Sequence, residues 1–194
     1  MAEPLEILIL CGSLRLESVT HRALEEAAKG AAEAGGVPVW GDGWVTRLPM
    51  CGTAPAGDPS VAEFTAAAAR ASGFLWGSPE YHGTVSGLLK NALDYLTFEH
   101  TEGKWVGLVA TAGGHQGAGA TLITLRTVAR SLHLWTPPDQ VSVAQAERAL
   151  SSEGAFTDPA VAAKLWHLGA GLVGAIRRFR DPTLFELPRE RPLP

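Results

Sequence analysis

The stretch from Gly77 to Tyr95, GSPEYHGTVSGLLKNALDY, constrains the fold more than any other part of the chain. Gly73-Phe74-Leu75-Trp76 is a short continuous apolar run, the pattern of a strand buried on both faces. It stops at Gly77-Ser78-Pro79, and Pro79 restricts Ser78 to extended backbone, which marks the end of the strand. Glu80-Tyr81-His82-Gly83-Thr84 then reads as a loop dense in hydrogen-bonding groups around one aromatic ring. From Val85 the apolar residues Val85, Leu88, Leu89, Ala92, Leu93 and Leu96 form one stripe at helical spacing. A strand that ends in a polar loop and restarts as a helix is how open α/β sheets build ligand sites at the carboxyl ends of their strands.

The rest of the chain repeats the alternation. Leu5–Cys11 is nearly continuous apolar and reads as a central parallel strand. A helical segment, His21–Ala34, is halted by Gly35-Gly36, and Val37–Trp40 is a second strand whose Pro38 suits an edge position. Residues 41–59 are rich in Gly, Pro and Thr and read as a long exposed loop. Ser60 is placed to cap a helix running to about Ala71, with Glu63 as its capping-box partner. A fourth strand over Lys104–Thr111 leads through the glycine-rich loop Ala112–Gly119 into a helix over Ala120–His133. Gln140–Val143 is a fifth strand, and a last helix runs from Pro159 to about Arg178 before an irregular, proline-punctuated tail from about residue 180. This order predicts an α/β fold, a three-layer, doubly wound, five-stranded parallel sheet in the flavodoxin-like order 2-1-3-4-5. Two average domains would be crowded in 194 residues, so residues 1–194 are expected to form one domain.

Composition removes several classes of function. A net charge of −4 argues against a nucleic-acid binder, which carries a basic patch or stripe. The arginines at 177, 178, 180, 189 and 191 read as a solvated tail. Cys11 and Cys51 are the only cysteines, so there is no disulfide framework and no metal-ligand spacing; no metal is expected. The first residues carry acids where a signal peptide needs bases, and no segment has 18 uninterrupted apolar residues. These features predict a cytoplasmic protein without a membrane partner.

Two further loops can carry chemistry. In Gly12–Thr20 the hydroxyls of Ser13, Ser18 and Thr20, the Arg15 guanidinium and the free N–H groups of a helix start can converge on one anion. A phosphate monoester suits both the Arg fork and the helix dipole. A nucleoside triphosphate fits poorly because no Walker A lysine is present. The alternative is that Ser18 or Thr20 merely caps the helix while Arg15 is solvated. The loop Thr111–Gly117 carries paired glycines, which permit positive φ and close approach of backbone to a ligand; a plain helix-entry turn is the alternative. Gly169-Ala170-Gly171-Leu172-Val173-Gly174 matches GxGxxG by letter, but it lacks a preceding strand and the length for a following βαβ unit. Close helix packing explains those glycines better.

The words Pro79-Glu80-Tyr81-His82-Gly83 and Leu89-Lys90-Asn91-Ala92-Leu93-Asp94 resemble the signature of the NAD(P)H-dependent FMN reductase family, flavodoxin-like flavoproteins that include quinone and azo-dye reductases. The resemblance spans Leu5 to about Val143, and Gly12-Ser13-Leu14-Arg15 with Ser18 matches the family's phosphate loop. It implies FMN as cofactor, its phosphate on Ser13, Arg15, Ser18 and Thr20, with Val19 also among the cofactor-binding residues. The ring is expected against Pro79, Glu80, Tyr81, His82 and Gly83, with Thr111, Gly113, Gly114 and Gly117 near its pyrimidine side. By the same resemblance, NADPH or NADH supplies hydride, and a quinone, azo compound or free flavin takes the electrons in a ping-pong cycle without a catalytic side chain. A homodimer or homotetramer built on the helix after Val85 is also implied. Lys90 and Asp94, four apart, either bond within that helix or reach a second subunit. The rival reading is a flavodoxin-type electron carrier without turnover of its own, though carriers tend to be strongly acidic. A flavin-free scaffold would leave Arg15 and its neighbouring hydroxyls unexplained.

Overall fold

Alternate residues of the first strand, β1 (Leu5–Cys11), enter different cores: Leu8 and Leu10 pack on one side of the sheet, Ile7, Ile9 and Cys11 on the other. That is the behaviour of a parallel strand covered on both faces. The computed structural model describes residues 4–180; the irregular tail from about 180, Arg189, Arg191 and residues 1–3 lie outside the described residues. After β1 come α1 (Val19–Glu33), β2 (Gly36–Trp40), α2 (Asp42–Val45), α3 (Pro59–Arg70), β3 (Gly73–Tyr81), β4 (Thr84–Val85) and α4 (Gly87–Leu93). The chain continues through α5 (Phe98–Thr101), β5 (Trp105–Thr111), α6 (Gly119–Ser131), β6 (Val141–Val143), a 3-10 turn over Ala146–Arg148 and α7 (Pro159–Phe179).

Five parallel strands lie in the order β2-β1-β3-β5-β6, the order expected. The sixth strand, β4, pairs only with β3 and was not anticipated. Pro38 sits on β2 at the sheet edge, where a missing N–H leaves no ladder bond open. Phe64, Phe74, Trp76, Leu89, Leu93, Leu108 and Leu125 fill the core on one face. Leu24, Ala27, Leu75, Val109, Leu165, Leu168 and Val173 fill the other, where α1 packs against α7. The 21-residue α7 is long and apolar enough to cross a membrane, with a mean hydropathy of 1.2 over its most apolar window. Here its apolar stripe, Leu165, Leu168, Leu172, Val173 and Ile176, is buried in the core between α1, α7 and the sheet.

Three local expectations are corrected. Residues 41–59 are not all open loop, because α2 turns Val45 inward and Leu48 is also buried. Asp58, not Ser60, caps α3: its Oδ1 accepts the Ser60 N–H at 2.9 Å, with Pro59 in the first helical position. Glu63 is therefore no capping-box partner and pairs with Arg47 at 3.0 Å. The helix after Val85 is only two turns long, although Val85, Leu89, Ala92, Leu93 and Leu96 are buried as the stripe required. Asn91 and Tyr95 tie it to the preceding loop, Asn91 Nδ2 and the Tyr95 hydroxyl both donating to the Pro49 carbonyl, at 2.8 and 3.0 Å. Lys90 and Asp94 bond to each other within this helical segment.

A candidate site at the carboxyl ends of the central strands

At the end of β1 the Gly12 N–H donates to the Gly77 carbonyl at 2.8 Å, which ties the following loop to β3. A Cβ on Gly12 would stand 2.5 Å from Ser86 Oγ and 3.0 Å from Leu89 Cβ, so no larger residue fits this approach. Ser18 is the N-cap of α1, its Oγ accepting the His21 N–H at 3.1 Å. The capping role left open by the sequence is thus real, and the same hydroxyl also hydrogen-bonds the Cys11 thiol. Ser13 Oγ accepts the Arg15 N–H at 3.4 Å. Arg15 is exposed, and its guanidinium takes part in none of the hydrogen bonds or ion pairs among the described residues.

Thr20, in the first turn of α1, and Thr111, at the end of β5, meet at the cleft floor with hydroxyl oxygens 2.7 Å apart, both nearly fully buried. One hydroxyl must donate to the other, so the pair can aim one remaining O–H at a ligand. Cys11, beneath the loop, has its thiol pushed up to about 11 by burial and stays neutral, as a small buried hydrophobe would.

The words around Pro79 fold differently from the expected loop. β3 runs on through Pro79, paired with Thr111 on β5, and ends at Tyr81. The chain then reverses in a two-residue hairpin, with Tyr81 opposite Thr84 and Glu80 opposite Val85. His82 and Gly83 hold φ of +53° and +78°, the pair of positive values that a type I′ turn demands. Pro79 therefore does not stop the strand. Ser78, fully buried, closes the hairpin: its Oγ accepts the Ser86 N–H at 2.9 Å and donates to the Pro79 carbonyl at 2.8 Å. Glu80 is committed too, its carboxylate accepting the N–H and hydroxyl of Thr121 at 3.2 and 3.0 Å in the first turn of α6, where a negative charge is favoured.

After β5 the positive φ belongs to Gly117 (+71°) and not to the Gly113-Gly114 pair. A Cβ at Gly117 would lie 2.6 Å from Ser142 Oγ, so the close approach is to protein. Backbone bonds join this loop to the segment after β6: Ala112 N–H to the Val143 carbonyl, Ala146 N–H to the Ala112 carbonyl and Gln145 N–H to the Gly114 carbonyl, at 2.9, 3.0 and 3.1 Å.

Together these segments enclose a cleft of about 280 Å³. Ser13, Arg15, Ser18, Val19, Thr20, Pro79, Glu80, Tyr81, Thr111 and Gly113 line it. Of the expected residues, His82, Gly83, Gly114 and Gly117 do not; the first two shape the hairpin and Gly117 shapes the loop behind. Three lining residues escaped the sequence reading, Glu17, Ala146 and Glu147. Glu17 lies inside a loop already singled out, but an acid has no place in a phosphate argument, and the Ala146–Arg148 turn carries no motif. Arg15 is the one cation on the wall among the described residues. No group of three His, Cys, Asp or Glu suited to a metal occurs among them.

A doubly wound sheet in this strand order, with an anion-suited loop at the β1/β3 switch point, defines a flavodoxin-like protein. Residues 5–148 match the family described as NADPH-dependent FMN reductase, and the chain belongs to that family. It is 33% identical over 159 residues to the NADPH-dependent FMN reductase ArsH of Shigella flexneri, covering 79% of this chain and 61% of that one. It is 32% identical over 115 residues to the FMN-dependent NADPH-azoreductase of Staphylococcus aureus, covering 58% of this chain and 61% of the other. The chain thus spans about three fifths of the length of these curated relatives. Among solved structures, FerB, a flavoenzyme NAD(P)H:(acceptor) oxidoreductase from Paracoccus denitrificans, superposes with a TM-score of 0.74 at 23% identity, covering 90% of this chain and 98% of that chain. At that identity the likeness speaks for the fold alone.

Proposed function

We propose that the protein is an FMN-dependent NAD(P)H oxidoreductase that reduces a quinone, azo compound or free flavin. One observation carries the reading: the hydroxyls of Ser13 and Ser18, the unpaired Arg15 guanidinium and the start of α1 line the same cleft as Pro79, Tyr81 and Thr111. The donor set fits a phosphate monoester, with Arg15 supplying charge, Ser13 a hydroxyl proton and the α1 N–H groups a favourable dipole. Thr20 and Thr111 together offer one more donor. Tyr81, 43% exposed at the rim, offers a face for a flat ring, and its position is fixed by the I′ turn and by the bonds from Thr121 of α6 to the neighbouring Glu80. When bound, FMN would supply the redox chemistry itself, accepting hydride at N5 and passing on two electrons.

These residues bind and orient, and none is assigned proton transfer. The enclosed volume is small beside typical ligand pockets, so a flavin seated here would keep its ring open to a nicotinamide and then to the acceptor. We read the enzyme as a cytoplasmic protein that meets small molecules rather than membranes or nucleic acid, in keeping with its mild negative charge. A homodimer or homotetramer is part of the proposal by family resemblance; the Lys90–Asp94 pair lends it no support, being satisfied within the helical segment.

Two measurements test the reading. Purified protein should bind FMN more tightly than riboflavin, because riboflavin lacks the group that Arg15 and Ser13 meet; equal affinities by fluorescence titration would remove the phosphate assignment. If nicotinamide and acceptor use one ring face in turn, double-reciprocal plots against each substrate should be parallel. Sluggish reduction by both NADH and NADPH, with rapid reduction by an added reductase, would point instead to an electron carrier.

A further inference from the structure

The cleft continues past its anion-binding end. A groove of about 630 Å³ runs between the start of α1 and the segment after β6, and Glu17, Val19, Ala146 and Glu147 line both groove and cleft. Its volume falls within the range of small-ligand sites, so space for a nucleoside is present. Its charge is another matter. Glu17, Glu147 and Glu153 stand on its wall, and the one cation among its described lining residues, Arg22, is held by Glu25 at 2.9 Å.

A flavin dinucleotide matches the mononucleotide up to the first phosphate, then adds a second phosphate and an adenosine. From an anion held by Arg15 and the start of α1, this groove is the adjoining enclosed space for that extension. We propose that Glu17, Glu147 and Glu153 are specificity-determining residues that restrict the cleft to a flavin mononucleotide by repelling the second phosphate of a dinucleotide. The inference rests on the flavin reading above and deepens it: selectivity comes from charge, since room is available. An exposed charge pair changes affinity by about 5-fold at most. Three carboxylates lining one groove therefore separate the two flavins by roughly 10-fold or more.

The test is a fluorescence titration of FMN, FAD and riboflavin against the full chain and two variants. Wild-type protein should prefer FMN to FAD. The triple variant Glu17→Gln, Glu147→Gln, Glu153→Gln keeps side-chain volume while removing the charges, and should tighten FAD by about 10-fold and FMN by less than about 3-fold. Glu153 lines the groove but not the cleft, so Glu153→Gln alone should tighten FAD by about 2- to 5-fold and leave FMN where it was. The single variant decides the matter if the triple one does not fold, because Glu153 is exposed and its carboxylate takes part in none of the hydrogen bonds or ion pairs among the described residues, its backbone N–H alone donating to Ser151 Oγ. Equal affinity for FMN and FAD in the wild type, or an FMN preference unmoved in a folded variant, overturns the inference while the flavin reading stands. Failure of FMN itself to bind would remove both.

Discussion

Replacing Gly169 with alanine should be among the most damaging single-methyl additions this protein can receive. On α7, a Cβ at Gly169 would lie 1.8 Å from the Ala27 carbonyl oxygen and 2.8 Å from its carbon, both backbone atoms of α1. The contact is reciprocal, because a Cβ at Gly30 on α1 would lie 2.0 Å from the Trp166 carbonyl oxygen on α7. No rotamer change relieves a backbone clash, so the two helices would have to separate, opening the core around Leu24, Leu165, Leu168 and Leu172. Overpacking typically costs about 1–3 kcal/mol, and a backbone obstruction belongs at or beyond the upper end. About 3 kcal/mol corresponds to a fall in Tm of roughly 6–12 °C for a chain of this size. Gly171 and Gly174, two and five residues on, meet nothing within 4 Å, and alanine at either should gain about 0.5–1 kcal/mol of helix propensity. Thermal and urea melts of the three variants should therefore move in opposite directions. A Gly169→Ala protein melting with the wild type would show that the α1/α7 contact is not as close as described. The same comparison settles the GxGxxG letters: alanine at Gly171 should leave FMN and nicotinamide binding untouched, since the motif lies in the middle of a helix and far in sequence from any strand end.

The parts of this fold that were legible before the structure are those in which burial dictates residue type. Strands covered on both faces must be apolar throughout, so Leu5–Cys11, the run at Phe74 and the run after Trp105 declare themselves, and alternation with helices then sets the strand order. Pro38 betrayed the edge for a comparable reason, a missing donor. The hairpin at His82-Gly83 was harder. An X-Gly pair between two extended residues does signal a I′ turn, but the usual first residue is Asn or Asp, and β4 is only two residues long. Pro79 resembles a strand stop, although a proline whose missing donor leaves the neighbouring pairing intact can remain within a strand. Asp58-Pro59 is a readable cap followed by a first-turn proline, and Ser60 competes with it as a cap by residue type alone. Glu147 belongs to another category. It reaches the cleft because backbone groups of Ala112 and Gly114 bind those of Ala146 and Gln145, and backbone bonds leave no mark on side-chain identity. The half of the candidate site suited to an anion was therefore visible in its hydroxyls and its guanidinium, whereas its acidic border was not.

Arg15→Ala should weaken FMN binding by about 1.5–3 kcal/mol, or roughly 10- to 150-fold, the range for a hydrogen bond to a charged group. The other groups of the loop are partly spent. Ser18 Oγ accepts from His21, Ser13 Oγ accepts from the Arg15 N–H, and the hydroxyls of Thr20 and Thr111 satisfy each other but for one proton. Among the described residues Arg15 alone brings full positive charge to the wall, which Glu17 and Glu147 also line. Its removal should leave the fold intact, since its guanidinium holds no partner among the described residues and the side chain is exposed. Three readouts separate a phosphate contact from a general disturbance. The melting temperature of the flavin-free variant should match the wild type, riboflavin affinity should be unchanged, and Arg15→Lys should recover part of the lost FMN affinity, because it restores the charge without the two-pronged geometry. An Arg15→Ala protein that binds FMN as tightly as the wild type would make this arginine a solvated surface charge and shift the anion-binding role to the start of α1 alone.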